Sequence, residues 1–104
     1  MSQQKKKEEP ADRVLRLERV HKKLTRYRGW DYDDDLEALV RTYEFPSFPA
    51  AIRFVAYVAE LAELAQHHPD IDIRYSRVKM ALSTHDAGGI TDKDFDLIDQ
   101  IDQR

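Results

Sequence analysis

The sequence contains no cysteine among its 104 residues. This absence excludes disulfide bonds, thiolate nucleophiles and metal sites built on cysteine. The sequence also has no apolar run near the about 20 residues that a membrane-spanning helix requires, and no apolar signal-peptide core follows its basic start. We therefore expect a cytoplasmic protein that makes no membrane contact.

A strong charge of one sign is also missing. The chain has 17 basic and 20 acidic residues, which give a formal net charge of −3. Such a balance provides no general attraction to polyanions, so no direct nucleic-acid partner is expected. The apolar share of 41% and the charged share of 36% are typical of one globular domain with a highly charged surface.

The composition divides the chain into a tail and one domain. Residues 1–9 contain three lysines, two glutamates and no large apolar residue beyond Met1. Because such a segment cannot bury enough apolar surface to offset its ordering, residues 1–9 are predicted to be a disordered tail. No repeat or linker divides the remainder, so residues 10–104 are predicted to form a single domain.

Hydrophobic periodicity predicts three helices. The first is expected to begin at Pro10 and to end before Gly29, because apolar residues recur there at steps of three and four. The second is expected to run from Ser47 to about Gln66, and it is apolar around more than half of its circumference. The third is expected to follow Thr91 near the end of the chain.

Alternation of apolar and polar residues predicts four strands arranged as two hairpins. They cover about residues 30–32, 36–45, 71–75 and 78–82. The resulting order is α-β-β-α-β-β-α. It predicts an α+β fold, a two-layer sandwich in which a four-stranded antiparallel sheet carries the three helices on one face.

Three of the four histidines lie in a single stretch, ELAQHHPDIDIRYSRVKMALSTH, which spans residues 63–85. Histidine titrates near neutral pH and is therefore the usual side chain for proton transfer. Glu63 precedes His67 by four residues. If the second helix reaches His67, the carboxylate lies beside the imidazole and can orient it.

The other two histidines are expected to approach from different directions. Pro69 disfavours helical geometry at His68, so this ring is expected to turn away from the helix axis. His85 follows the fourth strand, just before a Gly88-Gly89 pair at which a ligand can approach the backbone closely. The three rings together are a candidate acid–base site.

Two competing interpretations apply to these residues. Three histidines can form a zinc site, but the local HExxH and HxH signatures are absent, so acid–base chemistry without a metal is favoured. Asp94 lies three residues after Thr91, and the pair matches a capping box. A structural role for Asp94 is therefore favoured over a catalytic one.

The order of these motifs resembles the pterin-4a-carbinolamine dehydratase family, also called the 4a-hydroxytetrahydrobiopterin dehydratase or dimerization cofactor family. The resemblance rests on E-x3-H-H-P at residues 63–69, a tyrosine at Tyr75, S-T-H at residues 83–85 and G-G-I-T-x-x-D at residues 88–94. Flanking similarity extends it over about residues 12–102.

The resemblance implies a lyase that needs no metal or organic cofactor. It would remove water from a 4a-hydroxytetrahydropterin to give quinonoid dihydropterin, a step in tetrahydrobiopterin recycling. By similarity, the catalytic residues would be His67, His68, His85 and Glu63. The substrate-binding residues would be Gln66, His67, His68, Ser83, Thr84, His85 and Asp86. Within this set, His68 and His85 are expected to transfer protons, while His67 positions the ring or shares that work.

The resemblance also implies a homodimer or homotetramer assembled through sheet edges and the long second helix. The alternative is an interaction or assembly protein that acts through the same helix. Its support is the second apolar stripe of that helix, formed by Phe54, Tyr57, Leu61 and Leu64. The presence of all three histidines favours the enzyme.

Overall fold

The computed structural model describes residues 13–103 of the chain. Seven elements follow one another in the predicted order: α1 (Leu17–Leu24), β1 (Asp31–Asp33), β2 (Ala38–Glu44), α2 (Phe48–Ala65), β3 (Asp70–Arg74), β4 (Arg77–Leu82) and α3 (Asp92–Ile101). The predicted tail at residues 1–9 and the predicted helix start at Pro10 lie outside the described residues. No helix within residues 13–103 is long and apolar enough to cross a membrane.

The four strands form one antiparallel sheet in the order β1-β2-β4-β3. Leu39 pairs with Leu82 across β2 and β4, and Met80 pairs with Ile71 across β4 and β3. These side chains share one face of the sheet because alternate residues of a strand point to the same side. They belong to one hydrophobic core with apolar residues of all three helices, so the predicted α+β sandwich is confirmed. The buried helical members are Val20, Ala51, Phe54, Val58, Phe95, Leu97, Ile98 and Ile101.

The first helix begins later than its periodicity predicts. α1 starts at Leu17, and the backbone N–H of Leu15 donates to the carbonyl of Ile90 at 2.8 Å. Because this bond ties the preceding segment to the strand-like region after β4, residues 13–16 are not helical. Val14 and Leu17 of the predicted apolar stripe are 43% and 48% exposed, whereas Val20 is fully buried.

The second helix closely matches its prediction. The Ser47 side chain caps its first turn by accepting from the N–H of Ala50 at 3.2 Å. At the other end, Gln66 adopts a left-handed conformation with a φ of 52°, and the N–H of His67 donates to the carbonyl of Ala62 at 3.0 Å. This is a common way to end a helix, and it redirects the chain before the two adjacent histidines.

One carboxylate ties the end of α3 to the sheet. Asp102 accepts hydrogen bonds from the Trp30 indole at 2.9 Å, the Tyr43 hydroxyl at 2.7 Å and the Arg41 guanidinium at 3.2 Å. The Arg41 guanidinium also lies over the Tyr43 ring, 4.4 Å from its centroid. These contacts fix α3 on the sheet, and the start of α3 carries part of the candidate site.

Candidate active site

A buried histidine–carboxylate pair lies at the centre of the site. The Nε2 atom of His67 is 2.6 Å from Oδ1 of Asp94, although the two residues are 27 positions apart in the chain. His67 is 9% exposed and Asp94 is fully buried. A short hydrogen bond to a carboxylate in such a setting holds the imidazole in one orientation.

The second carboxylate oxygen of Asp94 accepts two further hydrogen bonds. Its Oδ2 atom accepts from the Thr84 hydroxyl at 2.9 Å and from the backbone N–H of Thr91 at 2.9 Å. The two threonine hydroxyls are themselves 2.7 Å apart. Asp94 lies in the first turn of α3, where the positive end of the helix dipole favours a negative charge. The buried carboxylate is thereby balanced by three hydrogen bonds and the helix terminus.

This network makes Asp94 more than a helix cap. The predicted capping box with Thr91 is present, so the structural role is confirmed. The same carboxylate also binds His67, a contact that the sequence interpretation missed. The local S/T-x-x-D pattern explained Asp94 completely, and spacing along the chain contains no signal for a partner 27 residues away.

Glu63 partners the second histidine rather than the first. Its Oε1 atom is 2.9 Å from Nε2 of His68, and both side chains are exposed. The predicted pairing of Glu63 with His67 is therefore wrong. It assumed that α2 continues to His67, whereas the left-handed Gln66 ends the helix at Ala65 and turns His67 inward towards α3.

The third histidine lies on a tight turn after β4. Thr84 and Gly89 pair as an isolated bridge, and Gly88 has a φ of 87°, a conformation that favours glycine. The N–H of Gly88 donates to the carbonyl of His85 at 3.1 Å. His85 and Asp86 are exposed on this turn, and Ser83 before it is partly buried.

The predicted site residues thus fall into two segments that one network joins. Residues 66–68 follow α2, residues 83–86 follow β4, and Asp94 binds His67 of the first segment and Thr84 of the second. His68 and Gln66 flank His67 in the chain, His85 and Asp86 follow Thr84, and all four are exposed. The arrangement offers solvent-accessible imidazoles next to one imidazole that is firmly held.

Within residues 13–103, no cluster of three or more histidine, aspartate or glutamate side chains is arranged to hold a metal ion. The Nε2 atoms of His67 and His68 instead lie against separate carboxylates.

The family model for Pterin 4 alpha carbinolamine dehydratase matches residues 13–104. The chain belongs to this family. The resemblance inferred from the histidine, proline and glycine motifs is therefore confirmed.

Individual members of the pterin 4 alpha carbinolamine dehydratase family match over most of the chain. A protein from Chloroflexus aggregans is 54% identical over 80 residues, which cover 77% of this chain and 84% of the relative. A protein from Chloroflexus aurantiacus is 52% identical over 84 residues, covering 81% and 88%. Both carry the name "Putative pterin-4-alpha-carbinolamine dehydratase".

A solved structure shows the same fold. The crystal structure of a transcriptional coactivator/pterin dehydratase from Brucella melitensis superposes with a TM-score of 0.81 at 31% identity. The match covers 86% of this chain and 96% of that chain. The sandwich described above is therefore a fold that a solved dehydratase structure shares.

Proposed function

We propose that this protein is a hydro-lyase that dehydrates a 4a-hydroxytetrahydropterin to the quinonoid dihydropterin. In this reaction the 4a-hydroxyl group accepts a proton and leaves as water, while a ring nitrogen loses its proton. The observation that carries the proposal is the Asp94 network in a chain of this family: it binds His67, which precedes His68 in the chain, and Thr84, which precedes His85. Imidazole suits both proton transfers near neutral pH.

His67 is the positioning member of this set. When its Nε2–H donates to Asp94, the neutral ring carries its lone pair on Nδ1. The buried carboxylate holds the ring in that tautomer. His67 is also 9% exposed, so only a small part of the ring can reach a ligand.

His68 and His85 are the proton-transfer members. Both residues are exposed and therefore open to a flat substrate that approaches from solvent. Glu63 accepts from Nε2 of His68, which leaves Nδ1 of that ring for the substrate. One imidazole would donate to the departing hydroxyl and the other would accept the proton from the ring nitrogen.

Some of the remaining predicted residues would contact the substrate, and one would hold the Asp94 carboxylate in place. Gln66, Ser83 and Asp86 are at least partly exposed and would contact the pterin directly. Thr84 is 6% exposed and its hydroxyl is bound to Asp94, so it would act by holding the carboxylate rather than by touching the substrate.

Stopped-flow measurement of dehydration tests both the activity and the site. His68→Ala and His85→Ala are compared with the wild type and with His21→Ala, a matched control on α1. Loss of general acid or base catalysis lowers the rate by about 100-fold or more, whereas His21→Ala retains it. If the wild type does not exceed the spontaneous rate, the enzyme proposal fails. If His68→Ala and His85→Ala both retain the wild-type rate, only the site assignment fails.

A second candidate function is protein interaction through α2, within a homodimer or homotetramer. The predicted second stripe is wrong in most of its members: Phe54 is buried in the core and Tyr57 and Leu61 pack against it, so only Leu64 of that set is largely exposed, at 83%. Two other large apolar side chains of this helix lie on the surface, with Phe48 at 46% and Ile52 at 38% exposure. Phe48 and Ile52 are four residues apart and share one side of the helix, and an exposed apolar pair of this kind is a surface that another chain would cover. Gel filtration with light scattering tests the assembly, and a monomer at micromolar concentration contradicts it.

A further inference from the structure

The charge of this protein is distributed very unevenly along the chain. Residues 13–28 contain seven lysines and arginines but only one acid, a net charge of +6, although the whole chain has −3. Residues 29–104 are correspondingly acidic. Concentrating like charges in one segment costs folding free energy, so this surface is a candidate for binding a negatively charged group.

The basic segment forms one wall of an open groove of about 610 Å³, a size typical of small-molecule sites. Val14 and Leu15 contribute apolar surface, and the carboxylates of Glu18 and Asp92 also line it. The Oδ1 atom of Asp92 forms an ion pair with Nζ of Lys23 at 3.6 Å. Within residues 13–103, no ion pair neutralises the four cations of the groove. These cations are Arg13, Arg16, Arg19 and Lys22.

The groove adjoins the turn that carries His85. A Cβ atom added at Gly89, the residue that closes the turn, would lie 2.9 Å from a methyl group of Val14. The neighbouring Leu15 is bonded through its N–H to Ile90 at 2.8 Å. The groove and the candidate active site therefore share a boundary at Val14 and Gly89.

We propose that this groove binds a terminal anionic group on the side chain of the substrate. The preferred substrates are then 4a-hydroxytetrahydropterins that bear a phosphate ester, with a carboxylate as the weaker alternative. This inference rests on the proposed dehydratase function. Arginine favours phosphate because its guanidinium can donate two parallel hydrogen bonds.

The distances along the chain allow one ligand to reach both His85 and the arginines of the groove. Arg16 is two residues from Val14, so their Cα atoms are at most about 7 Å apart. A pterin ring beside His85 can therefore extend a short side chain past Gly89 to the arginines. The acidic remainder of the surface repels the same anion, which directs it to this groove.

Binding of two stable analogues tests the inference without turnover. The probes are 7,8-dihydroneopterin, which has a neutral side chain, and its phosphate ester, each measured by calorimetry. The wild type is expected to bind the ester about 5- to 30-fold more tightly, as two exposed charge contacts allow. This ratio should approach one in the Arg16→Gln/Arg19→Gln double variant, and also in about 1 M NaCl, where charges are screened beyond about 3 Å.

A matched double variant separates a local effect from net charge. Arg53→Gln/Arg77→Gln removes the same charge elsewhere on the surface and should retain the ratio. The inference is overturned if the wild type binds both probes alike or binds neither. It is also overturned if the control variant loses the preference equally. Arginine-dependent binding of duplex DNA without a preference between the probes would overturn it too, in favour of a general polyanion surface.

The dehydration assay distinguishes the two proposals. If the ester binds preferentially but the protein accelerates no dehydration, the enzyme proposal fails and the anion site stands. If dehydration is accelerated and the probes bind alike, the anion site alone is wrong.

Discussion

Replacing Asp94 by asparagine perturbs the centre of the site while preserving its shape. The wild-type carboxylate accepts three hydrogen bonds, from His67, Thr84 and the N–H of Thr91. An amide has one oxygen and one NH₂ group, so it cannot accept all three. Because a backbone N–H can only donate, the amide oxygen must face Thr91, and the NH₂ group then faces His67.

That orientation forces a change of tautomer. Nε2 of His67 must become an acceptor, so the proton of the neutral ring moves to Nδ1. The substitution also removes a hydrogen bond to a charged acceptor in a fully buried position. Such bonds contribute about 1.5–3 kcal/mol, which corresponds to a fall in Tm of about 6–20 °C for a domain of this size.

Nitrogen-15 NMR of labelled histidine, recorded about two units above the ordinary histidine pKa, reads the tautomer directly. Thermal unfolding followed by circular dichroism gives the loss of stability. Asp99→Asn is the matched control, since Asp99 lies exposed on the same helix and has no part in the network. The role assigned to Asp94 is refuted if Asp94→Asn leaves the His67 tautomer unchanged and has the same Tm as the control variant.

Two further predictions concern α3. Asp102→Ala removes the acceptor shared by Trp30 and Tyr43 and should cost about 2–3 kcal/mol in urea unfolding, whereas Asp99→Ala should cost less than about 1 kcal/mol. Equal losses for the two would contradict the anchoring role. Partial desolvation of the exposed Asp96 side chain, followed by the nearby carboxylates of Asp92 and Asp99, raises the pKa of Asp96 from its ordinary 3.8. Because the pKa is higher in the folded state, the ionised Asp96 side chain destabilises the folded state as the pH rises above about 3.8. Asp96→Asn should raise Tm by about 1–3 °C at neutral pH, a small effect because the group is solvent-screened, and should have no effect below pH 3.8. If the Tm difference between Asp96→Asn and the wild type persists below pH 3.8, ionisation of Asp96 is not its cause.

Much of the fold could be predicted because its determinants are local. Ser47 caps α2 within one turn of itself, and the alternation in β4 places Met80 and Leu82 on the same buried face. The start of α1 could not be predicted. Residues 13–16 satisfy a helical pattern, but the bond from Leu15 to Ile90 joins segments far apart in sequence and overrides it.

In the candidate site, too, local features could be predicted from the sequence, whereas contacts between distant segments could not. Residue type and order single out the three histidines as a candidate site, which stays a prediction, and the glycine pair predicts the turn at His85. The partners of His67 and His68 were not, because a single left-handed residue, Gln66, decides which carboxylate each ring meets. The contact between His67 and Asp94 depends on how α3 packs against the sheet, and no local pattern reports that packing.

The dehydration rate in a single turnover, with protein in excess over freshly generated 4a-hydroxytetrahydropterin, tests the central proposal most directly. Absorbance of the quinonoid dihydropterin follows product formation. The wild type is expected to raise the rate at least about 100-fold above the spontaneous rate, as a general acid–base pair provides. A wild-type rate equal to the spontaneous rate, measured on folded protein, would contradict it.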